Sequence, residues 1–189
     1  MYTRRLPHSD VIGSPMFVTF RLHGSLPSSR VFPPARLTTG QAFVAFDRLL
    51  DHARTGPLHL RHPEIAGMVI RALYDGEKRF ERYHLHSFVV MPNHVHLLVT
   101  PLVRAREWLG PLKGFTGHRA NRILGRPRGP FWQDESYDHL IRNDHEFARV
   151  QRYIESNPVK AGLVASAKEF RWSSAAGARG QNPAAAPKG

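Results

Sequence analysis

There is no cysteine anywhere in the 189 residues. Disulfides and thiolate metal sites are therefore excluded, and any cation must sit on imidazole, carboxylate or amide groups. Long apolar runs are missing as well. No stretch approaches the ~18 consecutive apolar residues of a membrane span, and the first residues lack the apolar core of a signal peptide. The expectation is a soluble, cytoplasmic protein. Acidic residues are scarce: 15 Asp and Glu face 27 Lys and Arg, a net charge of +12. A polyanion is the natural partner for that excess, because each neutralised phosphate releases a condensed counterion. Charge alone does not separate an enzyme from a passive binder.

The length suits one domain with its own core. Phe17-Val18-Thr19-Phe20-Arg21-Leu22 is rich in β-branched and aromatic residues and reads as a first strand. After a Pro/Ser-rich loop, apolar residues from Ala42 to Ala53 recur at helical spacing, predicting a helix over about 40–54. A second helix starts near Pro63, a good first-turn residue, and runs to about Arg82. Leu85–Val90 and His94–Thr100 flank Met91-Pro92-Asn93, a hairpin signal. Residues from about 104 to 124 look helical. Phe131–Ile141 is strand-like, and Asp144 caps a last helix stopped by Pro158. This order predicts an α+β, ferredoxin-like antiparallel sheet with helices packed on one face. Its domain would span residues 1–172, with a disordered Ala/Gly/Pro tail over 173–189.

Three groups of residues can do chemistry. His94-Val95-His96 opens a strand, where residues i and i+2 share a face, so both imidazoles can converge on one cation. In a chain with 12 histidines the pair can also be incidental, and His84/His86 has the same spacing. If Met91 and His94 pair across a two-residue turn, Ser87 and Val89 share the His94/His96 face and the first pair points away. A three-residue turn reverses that.

Arg149, Tyr153 and Asn157 lie four apart, on one helical face. A tyrosine attacks phosphorus only once its proton is removed. Its ordinary pKa of ~10 calls for a metal-bound hydroxide or a nearby cation such as Arg149. Asn157 can offer an amide oxygen to the same metal. The plainer alternative makes Tyr153 a half-buried amphipathic residue and Asn157 a helix C-cap. The third group is Lys113, His118, Arg119 and Arg122, continued by Arg126 and Arg128. No acid follows Glu107 there, so the stripe suits a phosphate backbone, or is simply a solvated face. Phe115 and Trp132 can stack on bases if exposed, and otherwise fill the core.

Together these stretches resemble the single-tyrosine transposases of the IS200/IS605 type, and among them the REP-associated tyrosine transposases. The matching blocks are Phe17–Leu22, Met91-Pro92-Asn93-His94-Val95-His96-Leu97-Leu98-Val99, Lys113-Gly114-Phe115-Thr116, Phe131-Trp132-Gln133 and Tyr137–Arg142. The longest is Tyr153-Ile154-Glu155-Ser156-Asn157-Pro158-Val159-Lys160-Ala161-Gly162-Leu163-Val164. The resemblance covers roughly residues 15 to 175. It implies a metal site on His94 and His96, Tyr153 as nucleophile, and Mg²⁺ or Mn²⁺ as the ion. Relatives often carry Gln one turn after the tyrosine, where this chain has the shorter Asn157. Tyr137 is the reserve nucleophile.

The implied partner is single-stranded DNA folded into hairpins, gripped by Lys113, Arg119, Arg122, Arg126 and Arg149. Cleavage would leave a 5′-phosphotyrosine link and a free 3′-OH. Two rivals stand beside this reading. One is a non-catalytic nucleic-acid-binding module on the same fold. The other is a His-metal phosphoesterase, although a histidine triad would want a further histidine where Leu98 stands. Monomer and homodimer both stay open.

Overall fold

The computed structural model describes residues 11–26, 50, 56–126 and 128–180. Apart from Leu50, the helix predicted over about 40–54 lies outside them, as do residues 181–189. Four strands form one antiparallel sheet: β1 (Met16–Arg21), β2 (Tyr83–Val90), β3 (His94–Pro101) and β4 (Tyr137–Leu140), in the order β2-β3-β1-β4. The helices lying wholly within the described residues include α1 (Pro63–Lys78), α2 (Ala105–Ile123) and α3 (Asp144–Lys160). The succession β1-α1-β2-β3-α2-β4 on this strand order is the expected ferredoxin-like α+β arrangement.

Strand alternation divides the core in two. On one face Val18, Phe20, Val95, Leu97 and Val99 pack with Ile65, Val69 and Leu73 of α1 and with Trp108 and Leu112 of α2. α1 opens on Pro63, whose missing N–H would be unpaired at that position anyway. Gly76 lets α1 settle on the start of β2, since any Cβ there would run into the Tyr83 hydroxyl. On the other face Phe17, Val89, Met91 and Leu98 meet Ile154 of α3, with Phe147, Val150 and Tyr153 at the margin. The two crossover helices thus share one face, as expected. The third helix covers the opposite face, because its apolar residues pair with the strand residues of the other parity.

Three local expectations change. Pro158 does not stop α3, which continues to Lys160. The proline removes only one N–H in the last turn, and bonds from Ala161 N to Asn157 O and from Leu163 N to Pro158 O, both 2.9 Å, close the end. The cap is Asn143, whose side chain accepts from the Glu146 N–H at 2.9 Å, rather than Asp144. The domain does not end at 172. Ser173 is buried and bridges to Val89, and Ser174 Oγ accepts from the Phe88 N–H at 3.1 Å. This segment occupies the free edge of β2, which would otherwise expose unpaired backbone groups.

The hairpin uses the two-residue turn, with Met91 N donating to His94 O at 2.9 Å. Val89 consequently pairs with His96. A bulge between Leu85 and Ser87 then resets the register. His86 therefore does not point away. Its ring meets Phe147 of α3 at 5.0 Å and its Nε2 reaches Thr100 Oγ1 at 2.8 Å, on the His94/His96 side of the sheet.

Candidate active site

His94 and His96 lie on consecutive same-face positions of β3 and are completely buried. Their Nε2 atoms face each other at 2.9 Å, with ring centroids 4.5 Å apart. The outer nitrogen of each ring is also engaged. His94 Nδ1 lies 2.7 Å from Asn93 Oδ1, and His96 Nδ1 lies 2.7 Å from Thr19 Oγ1. Thr19 is the register partner of His96 across the β1–β3 ladder.

The amide of Asn93 is oriented by its other end, where Nδ2 donates to the Leu50 carbonyl at 2.9 Å. Its oxygen therefore faces His94 and can only accept, so the His94 Nδ1 carries the proton and the Nε2 lone pair turns inward. Thr19 can donate or accept, so it can serve either tautomer of His96.

This donor set fits a divalent cation. Two nitrogens each ~2.1 Å from one ion and subtending ~90° at it would stand about as far apart as these do. Outer-nitrogen partners of this kind are what orient metal-binding histidines. Among the described residues no group of three His, Cys, Asp or Glu side chains could hold a metal. A third protein ligand among the described residues could be an amide. Asn157 is one, wholly buried one turn beyond Tyr153.

Tyr153 is half-buried near His96, its ring centroid 6.1 Å from that of His96 and 6.4 Å edge-on from Phe17. The cation beside it is Lys160, with Nζ 4.4 Å from the ring centroid. Arg149 is exposed instead, its Nη2 3.4 Å from Glu146 Oε1. Lys160 stands seven positions after Tyr153, about two helical turns, so the spacing alone could have singled Lys160 out. Tyr137 lies near Phe17 too, but burial and then Asp138 push its phenol up to about 12. That makes it harder to ionise than an ordinary tyrosine.

Arg21 was not singled out by sequence either. It pairs with His94 in register, so both point to the same face. Burial lowers its pKa somewhat, with Glu135 opposing, and Nη1 donates to Ser25 Oγ at 3.2 Å.

The basic stripe divides. Arg119, Arg122 and Arg126 are exposed, and Arg126 reaches His59 Nε2 at 3.1 Å. Lys113 is drawn inward: its ammonium donates to Gln133 O and Asp134 O, both at 2.8 Å, and to Ser136 Oγ at 3.1 Å. It ties α2 to the segment before β4. Trp132 is core, its indole N–H donating to Thr116 Oγ1 at 2.9 Å, whereas Phe115 is 55% exposed.

Known proteins resemble this chain in sequence and in fold. Residues 67–157, which carry the histidine pair, Tyr153 and Asn157, match the family described as "Transposase IS200 like". A REP-associated tyrosine transposase of Escherichia coli K12 is 29% identical over 100 residues, covering 51% of this chain and 56% of the relative. An uncharacterized protein of Haemophilus influenzae is 24% identical over 103 residues, covering 42% of this chain and 57% of its own length. The chain thus spans little more than half the length of the curated relatives it matches. A solved REP-associated tyrosine transposase bound to a REP hairpin shares the fold. Its TM-score is 0.52 at 19% identity, covering 91% of this chain and 82% of that one. The matched segment holds all four candidate residues, and over residues 67–157 the chain is similar to the IS200-like transposases.

Proposed function

We propose that this chain nicks and rejoins single-stranded DNA bearing hairpins, through a covalent 5′-phosphotyrosine on Tyr153 and with Mg²⁺ or Mn²⁺. The observation that carries the reading is the convergence of the two Nε2 atoms at 2.9 Å, with the Tyr153 ring centroid 6.1 Å from that of His96. His94, His96 and the Asn157 amide would hold the ion. When bound, it supplies charge stabilisation at a non-bridging oxygen of the scissile phosphate.

The remaining work belongs to the protein. Asn93 and Thr19 keep the imidazoles oriented. Lys160 over the Tyr153 ring favours the phenolate, which is the nucleophilic form. Tyr153 Oη attacks phosphorus, and the bond to the 3′ oxygen breaks. The phenol proton passes to solvent, and the departing 3′ oxygen takes one up. A second 3′-OH reverses the step and rejoins strands without ATP, because the ester bond is conserved. Arg119, Arg122 and Arg126 hold the backbone, and hairpin shape selects the site.

Labelled hairpin DNA incubated with Mn²⁺ and run on a denaturing gel should give a protein–DNA adduct. An adduct that persists in Tyr153→Phe would move the nucleophile elsewhere, and no adduct with wild type would favour a binding module.

A further inference from the structure

Away from the histidine pair, on the other face of the sheet, a cleft of about 270 Å³ opens between the end of α1 and the middle of α2. That volume is near the lower end for ligand pockets, enough for one flat ring rather than a peptide. Its rim carries two large apolar side chains left in solvent, Phe80 at 50% and Phe115 at 55% exposure. The guanidiniums of Arg79 and Arg82 lie 5.2 and 5.1 Å from the Phe80 ring centroid, which sets two planar cations at the mouth. Among the lining residues is Trp108, a buried residue whose indole N–H makes no hydrogen bond among the described residues. Asp75 supplies the one carboxylate of the lining.

We propose that this cleft takes one nucleotide of single-stranded DNA, on a strand segment distinct from the one entering the histidine site. Three features match that occupant. An exposed aromatic stacks on a base, two arginines meet its phosphate, and Asp75 accepts from a base amine. A purely apolar partner would leave the arginines and Asp75 unmatched.

The cleft is remote from the chemistry. It is lined by Tyr83, which pairs with Pro101 at the far end of β3 from His94. It would thus grip flanking single strand and not the scissile phosphate. The inference rests on the DNA-processing reading above.

The test measures affinity without metal, by fluorescence anisotropy. One oligonucleotide is a bare hairpin and the other is the same hairpin with a single-stranded extension. Phe115→Ala, and separately Arg79→Gln with Arg82→Gln, should weaken the extended oligonucleotide about ten-fold, the scale of one lost stacked base. The bare hairpin should be unaffected. Phe115→Trp should restore binding, which a merely structural role would not predict.

Unchanged affinity for the extended strand, or equal losses for both oligonucleotides, would overturn the cleft while leaving the phosphotyrosine reading intact. A variant that changes only the sedimentation coefficient would make the cleft a self-association surface and overturn it too. Wild type that binds neither oligonucleotide would remove both readings.

Discussion

The two faces of the sheet are built from the same strands yet follow different rules. Towards α1 and α2, Val95, Leu97 and Val99 alternate into an apolar layer closed by Trp108 and Tyr83. Towards α3, the intervening positions of β3 are His94, His96, Leu98 and Thr100, and β1 adds Thr19 and Arg21. That side also leaves the buried Ser87 hydroxyl with no hydrogen-bond partner among the described residues. One face supplies stability through dry packing, and the other gives up part of that packing for polar groups held in set orientations. β3 serves both tasks because its side chains alternate with a period of two. A one-residue slip in register would exchange them.

The largest effect should come from the polar face alone. Tyr153→Phe removes one oxygen, so the adduct should disappear while the thermal midpoint barely moves. A large fall in midpoint would make Tyr153 a packing residue and blur the division between faces.

On the apolar face the opposite pattern is expected. Leu97→Ala should cost about 2–5 kcal/mol in denaturant unfolding, and Leu98→Ala should fall at the low end, because the thinner α3 layer can relax into the gap. Equal losses would mean that the two faces are packed alike.

Thr19→Val keeps the shape and removes the hydroxyl beside His96 Nδ1. Mn²⁺ affinity by calorimetry, with no DNA present, should drop about 10–100-fold. An unchanged affinity would separate Thr19 from the metal site.

A smaller contrast distinguishes cations along α2. Arg119→Gln or Arg122→Gln should reduce the slope of log affinity against log salt by about one and leave stability alone. Lys113→Gln should lower the thermal midpoint and leave that slope in place, because its donors are used within the fold. A slope change in Lys113→Gln would return it to the DNA surface.

The smallest effect concerns the start of α3. A hydrogen bond from His139, then one from the Arg142 N–H, holds the Glu146 carboxyl below its ordinary value. A depressed folded pKa stabilises the chain at pH values above the unfolded carboxylate pKa. The contribution is lost as pH falls through the folded value. Glu146→Gln should therefore cost under ~1 kcal/mol near pH 7. The gap should narrow on acidification below pH ~4.3, which urea midpoints across pH would follow. A gap that widens on acidification would reverse the sign.

Local pattern carried much of this molecule. Apolar spacing placed α1 and α2 within a few residues, and the period of two put His94 and His96 on one face whatever the hairpin register. The blocks around Met91–Val99 and Tyr153–Val164 pointed to the family that residues 67–157 match.

Other features depended on pairing between distant segments. The bulge at His86 arises between β2 and β3, so no window of sequence could show that His86 turns towards α3. Thr19 reaches His96 only because β1 and β3 are in that register, 77 residues apart along the chain. Lys113 looked like its neighbours in charge, and only the fold of residues 133–136 drew its ammonium inward. The sequence by itself determined which residue types could meet a cation and a phosphate, because charge, imidazole chemistry and helical or strand period are local properties. Tertiary structure alone decided which of them meet, since hydrogen bonds and burial form only when strands from distant parts of the chain lie side by side.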